Sequence, residues 1–128
     1  MKISATKVFE FEAAHHLPGY DGPCGNLHGH SYKLEVTVAR VVSGPITGVI
    51  QGGMVMDFST IKRMVKDNII DKLDHSNLNE KGWLYPTAEN MILTIWGEIE
   101  KLLCYEPGLY LHRLRLWETS TSYIELMG

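Results

Sequence analysis

Only two cysteines, Cys24 and Cys104, occur in the 128 residues. Two thiols cannot build the set of bridges that holds small secreted domains together, so the fold must rest on a hydrophobic core. Long apolar runs are missing as well. No stretch approaches the ~18 residues of a membrane span. The opening MKISATKVFEFEAAHH carries charge where a secretory signal needs an apolar run. The expectation is a cytoplasmic protein with no membrane partner and with reduced thiols. Excess positive charge is also lacking. Twelve Lys and Arg against 15 Asp and Glu leave a formal net charge of −3, the wrong sign for a broad basic face that holds nucleic acid. Repeats, low-complexity tracts and linkers are absent. At this length the chain reads as a single domain, residues 1–128, with no room for separate catalytic and binding domains.

What the chain does have is patterning. A content of 45% hydrophobic and 21% charged residues is that of an ordinary globular protein, which sets disorder aside. Two stretches alternate with period two. In the first, Phe9, Phe11, Ala13 and His15 share one face, with Glu10 and Glu12 on the other. In the second, His28, His30, Tyr32, Leu34, Val36 and Val38 alternate with smaller or more polar residues. The intervening LPGYDGPCGN is rich in turn formers, so the two strands are expected to pair antiparallel. Residues 43–53, with four glycines and one proline, read as a hairpin or bulged connection.

The period then changes. Phe58, Ile61, Val65, Ile69 and Leu73 form the stripe of an amphipathic helix, with Asp57 or Ser59 as its N-cap. A second helix is expected from Thr87, after Pro86, with Glu89 in its first turn and Pro107-Gly108 as its stop. Strands at 109–118 and about 121–126 complete the order. This ββααββ succession predicts an α+β fold: one four-stranded antiparallel sheet with two helices packed on one face.

Strand parity gathers three histidines. His28 and His30 project from the same face of the second strand, and His15 ends the first strand on the matching face. Pairing of the two strands brings the three imidazoles to one end of the sheet. Three neutral imidazoles with an open fourth position are the ligand set of a catalytic zinc ion, which polarises a bound oxygen and acidifies attached hydroxyls. A lone inward histidine, or an HxH pair alone, is more often a hydrogen-bonded core residue. The third histidine of matching parity is what favours metal. His16 takes the opposite face and His112 is remote in sequence, so both are read as bystanders.

Other groups surround this cluster. Cys24 stands four residues before His28, in the loop expected to overhang the site. It is either a base or nucleophile activated by a nearby cation or a fourth ligand that closes the site. Cys104, within a helical pattern, is read as inert. Asp74-His75 ends the first helix, where a carboxylate can orient an imidazole, although most such pairs are solvated caps. Glu118 shares the inward parity of Leu114 and Leu116. An inward carboxylate needs a partner, either a planar edge with two N–H donors, such as a guanine-like or pterin ring, or a basic neighbour such as Arg113 or Arg115.

The ordered segments FEFEAAHHL, CGNLHGHSY, MDF, LDHSNLN, PTAEN and WET strongly resemble the 6-pyruvoyl tetrahydropterin synthase / 6-carboxytetrahydropterin synthase family, from about Phe9 to Thr119. The resemblance implies the tunnelling fold and a homo-oligomer, a hexamer of stacked trimers or a related assembly, with sites at subunit interfaces. It implies Zn2+ as cofactor on His15, His28 and His30. It implies Cys24 as the catalytic thiol, Asp74 and His75 as its proton relay, and Glu118 as the anchor of the pterin ring. The substrate implied is 7,8-dihydroneopterin triphosphate. Side-chain cleavage with release of acetaldehyde and triphosphate would give 6-carboxytetrahydropterin, the queuosine precursor, and this outcome is favoured over simple triphosphate elimination to the pyruvoyl product. The compact loops and short termini resemble the bacterial or archaeal branch. A non-catalytic zinc or pterin-binding module is the contrasting class, which would need neither the cysteine, the Asp-His pair nor the glutamate.

Overall fold

A computed structural model describes residues 1–47, 52–82, 85–103 and 107–128. Two long strands open the chain, β1 (Lys2–His15) and β2 (His28–Val41). They pair antiparallel along their whole length, from Lys2 opposite Val41 to His15 opposite His28. A short 3-10 turn, Pro23–Gly25, lies in the loop between them. The middle of the 43–53 connection and Cys104 lie outside the described residues.

The first helical segment is α1 (Phe58–Val65), capped as expected by Asp57, whose side chain accepts from Ser59 N at 2.8 Å. It continues without a break through a π-helical turn, Lys66–Ile70, into α2 (Asp71–Leu73). The wider turn admits one extra residue, so Ile69 and Ile70 are both buried along with Ile61, Val65 and Leu73. Phe58, expected at the start of the apolar stripe, is instead largely exposed. It precedes the first turn that reaches the sheet.

Next comes β3 (Ser76–Asn77), followed by a 3-10 turn, Leu78–Lys81, and then α3 (Ala88–Leu103). Thr87 Oγ1 accepts from Asn90 N at 3.2 Å, which makes Thr87 the cap of α3. The chain ends in β4 (Leu109–Thr119) and β5 (Ser122–Met127). The sheet order is β3-β1-β2-β4-β5. This corrects the expected four-stranded antiparallel sheet. The sheet has five strands and is mixed, because Ser76 and Asn77 pair parallel with Ala13 and Ala14 on the outer edge of β1. Two residues are too few to carry a period, so alternation could not announce that strand.

The helices cover one face, as expected. Phe9, Phe11, Tyr32, Leu34, Val36, Leu114 and Leu116 join Ile61, Ile69, Met91, Ile95 and Ile99 in one buried cluster. The register of β4 against β2 slips where Thr37 faces Arg113 but Val38 faces Leu111, leaving His112 as an extra bulged residue. Both Leu111 and Leu114 thereby face the core although three positions separate them. Among the described residues, no helix is long and apolar enough to cross a membrane.

Candidate functional site

The three histidines do converge. Because His15 and His28 are directly opposite in the β1–β2 ladder and His30 follows on the same face, their rings meet with centroids 4.6, 4.8 and 5.0 Å apart. One nitrogen from each lies within 4.8 Å of the others. Their orientation is set from behind. His15 Nδ1 lies 2.7 Å from the carbonyl of Pro86, and His28 Nδ1 lies 2.7 Å from that of Asn26. A carbonyl can only accept, so in both rings Nδ1 carries the proton and Nε2 of the neutral imidazole presents a lone pair. Those two Nε2 atoms face each other at 3.0 Å. Two lone pairs repel at that distance unless a proton or a cation lies between them. His30 Nε2 is buried and has no hydrogen-bond partner. Orphaned and mutually facing acceptors are what a metal ion satisfies. The carbonyls behind the rings are the outer partners that fix a ligating imidazole. The residues therefore fit a zinc ion with three nitrogen ligands and one open position.

Burial holds His30 below its ordinary range, against the upward pull of the Glu118 carboxylate, which favours the neutral form that ligates metal. Behind the cluster, the Tyr32 ring stacks on Phe11, and burial pushes its hydroxyl far above the usual phenol range. Tyr32 therefore stays protonated, and its hydroxyl lies 3.5 Å from His15 Nδ1.

Glu118 arrives from the other side. In the β4–β5 ladder Trp117 faces Tyr123 and Thr119 faces Ser122, so Glu118 is an extra residue in a second bulge. Its Oε1 lies 3.5 Å from His15 Nε2 and 3.4 Å from His30 Nε2. The basic neighbours considered for it are engaged elsewhere: Arg113 and Arg115 both pair with Glu125. The side chain is 33% exposed, so the carboxylate sits at the mouth of the cluster rather than deep within it. Sequence gave no sign of the fixture beside it. Trp117 donates Nε1–H to Glu35 Oε2 at 2.7 Å, and Lys33 Nζ lies 4.4 Å above its ring.

Asp74 and His75 occupy a different place. Asp74 Oδ1 accepts from Glu12 N at 2.8 Å and lies 3.0 Å from His75 Nδ1. The bond from Glu12, with the His75 contact, holds its carboxyl below the ordinary range. His75 adopts a positive φ of 58°, and its side chain is 79% exposed. With Glu12, Ala13, Ala14, Gly29, His30 and Ser31 it lines a groove along the β1–β2 ladder. Cys24 is exposed in its 3-10 turn, whose carbonyl accepts from Leu17 N at 2.9 Å. Within one chain the fold thus gathers His15, His28, His30 and Glu118, and ties Asp74-His75 to the outer edge of β1 at Glu12.

His16, read as a bystander, has its backbone gripped at both ends by the Asn79 side chain. His112 lies 3.4 Å from Lys2 Nζ, remote from the cluster.

Comparison with known proteins shows the family and the fold. The sequence model of the family described as 6-pyruvoyl tetrahydropterin synthase matches residues 4–128. The 6-carboxy-5,6,7,8-tetrahydropterin synthase of Haemophilus influenzae is 36% identical over 97% of this chain and 96% of its own. The dihydroneopterin monophosphate aldolase of Pyrococcus furiosus is 41% identical, with 98% of each chain covered. In fold, the chain is similar to the 6-pyruvoyl tetrahydropterin synthase of Caenorhabditis elegans, with a TM-score of 0.79 at 22% identity over 100% of this chain and 96% of the other.

Proposed function

Since the chain belongs to the 6-pyruvoyl tetrahydropterin synthase family, we propose that it is a zinc-dependent lyase that converts 7,8-dihydroneopterin triphosphate to 6-carboxy-5,6,7,8-tetrahydropterin, with release of acetaldehyde and triphosphate. The observation that carries the reading is the three-nitrogen cluster with a carboxylate at its mouth. His15, His28 and His30 would hold zinc, which when bound supplies Lewis acidity toward the substrate's side-chain hydroxyls. Glu118 would accept the ring N–H and amino donors of the pterin through both carboxylate oxygens, fixing the register of the side chain. Cys24 Sγ would take a proton from the side chain. His75, with Nδ1 beside Asp74, would exchange it.

Because Asp74 and His75 are tied to the outer edge of β1 at Glu12 rather than bonded to the imidazoles of the cluster, the complete site would draw that pair from a neighbouring subunit of a homo-oligomer. The product would feed deazapurine (queuosine) biosynthesis in the cytoplasm.

A second reading has a specific support. The 41% identical relative is a monophosphate aldolase, and aldol cleavage would use the same metal-polarised hydroxyls. Incubation with each dihydroneopterin phosphate, followed by product analysis, decides. Acetaldehyde and a carboxylated tetrahydropterin from the triphosphate are the expected result. Triphosphate loss alone would indicate the pyruvoyl product, and a phosphorylated two-carbon aldehyde from the monophosphate would indicate the aldolase. Bound zinc without turnover of either substrate would leave a binding module.

A further inference from the structure

We infer that Asn79 is a positioning residue for the metal cluster, holding the His15 ligand in place through the His16 peptide. The inference rests on the reading of His15, His28 and His30 as the metal ligands. Its starting point is the edge of β1. Only Ala13 and Ala14 are covered there by β3, yet the backbone from Glu12 to His16 is engaged at every residue but His15 by the short run 74–79. Glu12 N donates to Asp74 Oδ1 and Glu12 O accepts from His75 N. At the other end, His16 N donates to Asn79 Oδ1 at 2.9 Å and His16 O accepts from Asn79 Nδ2 at 3.0 Å.

That last pair of bonds is unlike the others. A single side chain reproduces both hydrogen bonds that a neighbouring strand would make to one residue. Only an amide has an acceptor and a donor side by side on one planar group. A carboxylate of the same shape would still accept from His16 N–H but would set its second oxygen, an acceptor, against the His16 carbonyl. A hydroxyl would reach only one partner. Asn79 is itself held, because its N–H donates to Asn77 Oδ1 at 3.1 Å and the intervening Leu78 is fully buried.

The clamp matters because of what precedes it by one residue. His15 is the most buried of the three histidines, at 1% exposure, and it is the last residue of β1. Its ring is oriented by the Pro86 carbonyl, but its Cα has ladder support only from the N-terminal side and from His28 opposite. On the C-terminal side the chain turns away into the 16–27 loop. There the Asn79 amide replaces the missing ladder. Ligand atoms must be held within about half an ångström for a metal to be bound tightly. The Asn79 side chain bonds the His16 backbone rather than the His15 ring, so its action is on placement.

The test is zinc affinity, measured by competition with a chromophoric chelator on full-length folded protein well below its unfolding temperature. Asn79→Asp and Asn79→Ser are expected to fold and to bind zinc about 10-fold more weakly, the low end of what losing a group bonded directly to a ligand costs. Leu78→Val, which loosens the same turn without touching His16, should lower the melting temperature and leave zinc affinity unchanged. Unchanged affinity in both Asn79 variants would overturn the inference. So would equal weakening in Leu78→Val, or failure of both Asn79 variants to fold, since either would assign the residue to the fold rather than to the ligand. A wild-type protein that binds no zinc, or a His28→Ala variant that binds it fully, would instead remove the ligand assignment, and this inference with it.

Discussion

A carboxylate at position 118 leans on two imidazoles at 3.4 and 3.5 Å, while Arg113 and Arg115 pair with Glu125 instead. That geometry makes a sharp prediction. Glu118→Gln keeps the shape but replaces one acceptor by a donor, so affinity for a non-reactive pterin should fall by about tenfold or more, while zinc content stays full. Calorimetric titration of both proteins with the same pterin checks it, and unchanged affinity would mean that the ring is held elsewhere. Asp74 permits a prediction in pH. Its folded carboxyl is held low, first by the Glu12 N–H and then by His75. Its contribution to stability is therefore present above the unfolded carboxylate value, ~4, and is lost as pH falls through the lower folded value. Asp57, held low by its bonds from Ser59, acts with the same sign. Melting temperature should thus fall more steeply on acidification in the wild type than in Asp74→Asn, as thermal scans across pH would show. At this scale much was legible in the sequence. Parity alone placed His15, His28, His30 and Glu118 on one face. It could not show that Nδ1 of His15 and of His28 would find backbone carbonyls, because those acceptors carry no side-chain signature.

Elements bent by one residue proved the hardest to anticipate. The long strands declared themselves by alternation and the helices by their stripes, but the π turn at Lys66–Ile70 and the bulges at His112 and Glu118 each insert a residue that period counting does not register. The insertion at His112 is open to direct test. Leu114, Leu116 and Glu118 face the core and the cluster only because that bulge resets parity after Leu111. His112→Ala should be nearly neutral, since the ring's contacts are with Lys2 and Tyr110. Deleting His112 should remove the bulge and leave Leu111, Arg113 and Leu114 in regular alternation opposite Val38, Thr37 and Val36, so that Leu114 and Leu116 keep their inward face. Circular dichroism should therefore show folded protein from both variants. Loss of the fold on deletion alone would mean that the bend made by the bulge is itself needed.

At the scale of the whole molecule, His15, His28 and His30 gather with Glu118, whereas Asp74 and His75 are tied to the outer edge of β1 at Glu12. If a neighbouring subunit supplies Asp74-His75 to each cluster, two inactive proteins should complement one another. Cys24→Ala and His75→Ala, each expected to bind zinc and to turn over nothing, should recover partial activity when mixed under conditions of subunit exchange. Absence of recovery, with exchange demonstrated by native mass spectrometry, would place both groups in one chain.

The hairpin that brings His15 opposite His28 also has a meaning in time. All three imidazoles belong to two strands joined by the single loop 16–27, so their convergence needs only a local closure, of the kind that forms within microseconds. The parts that discipline His15, Pro86 behind its ring and Asn79 beside the next peptide, lie 71 and 63 residues beyond the groups they hold. During synthesis the coordinating nitrogens therefore emerge, and can meet, before the chain that fixes the His15 ring exists, whereas His28 finds its acceptor, Asn26, within the hairpin. A cation encountered at that stage would meet a loose hairpin, and selectivity among metals would be imposed only when the later half of the polypeptide closes over it.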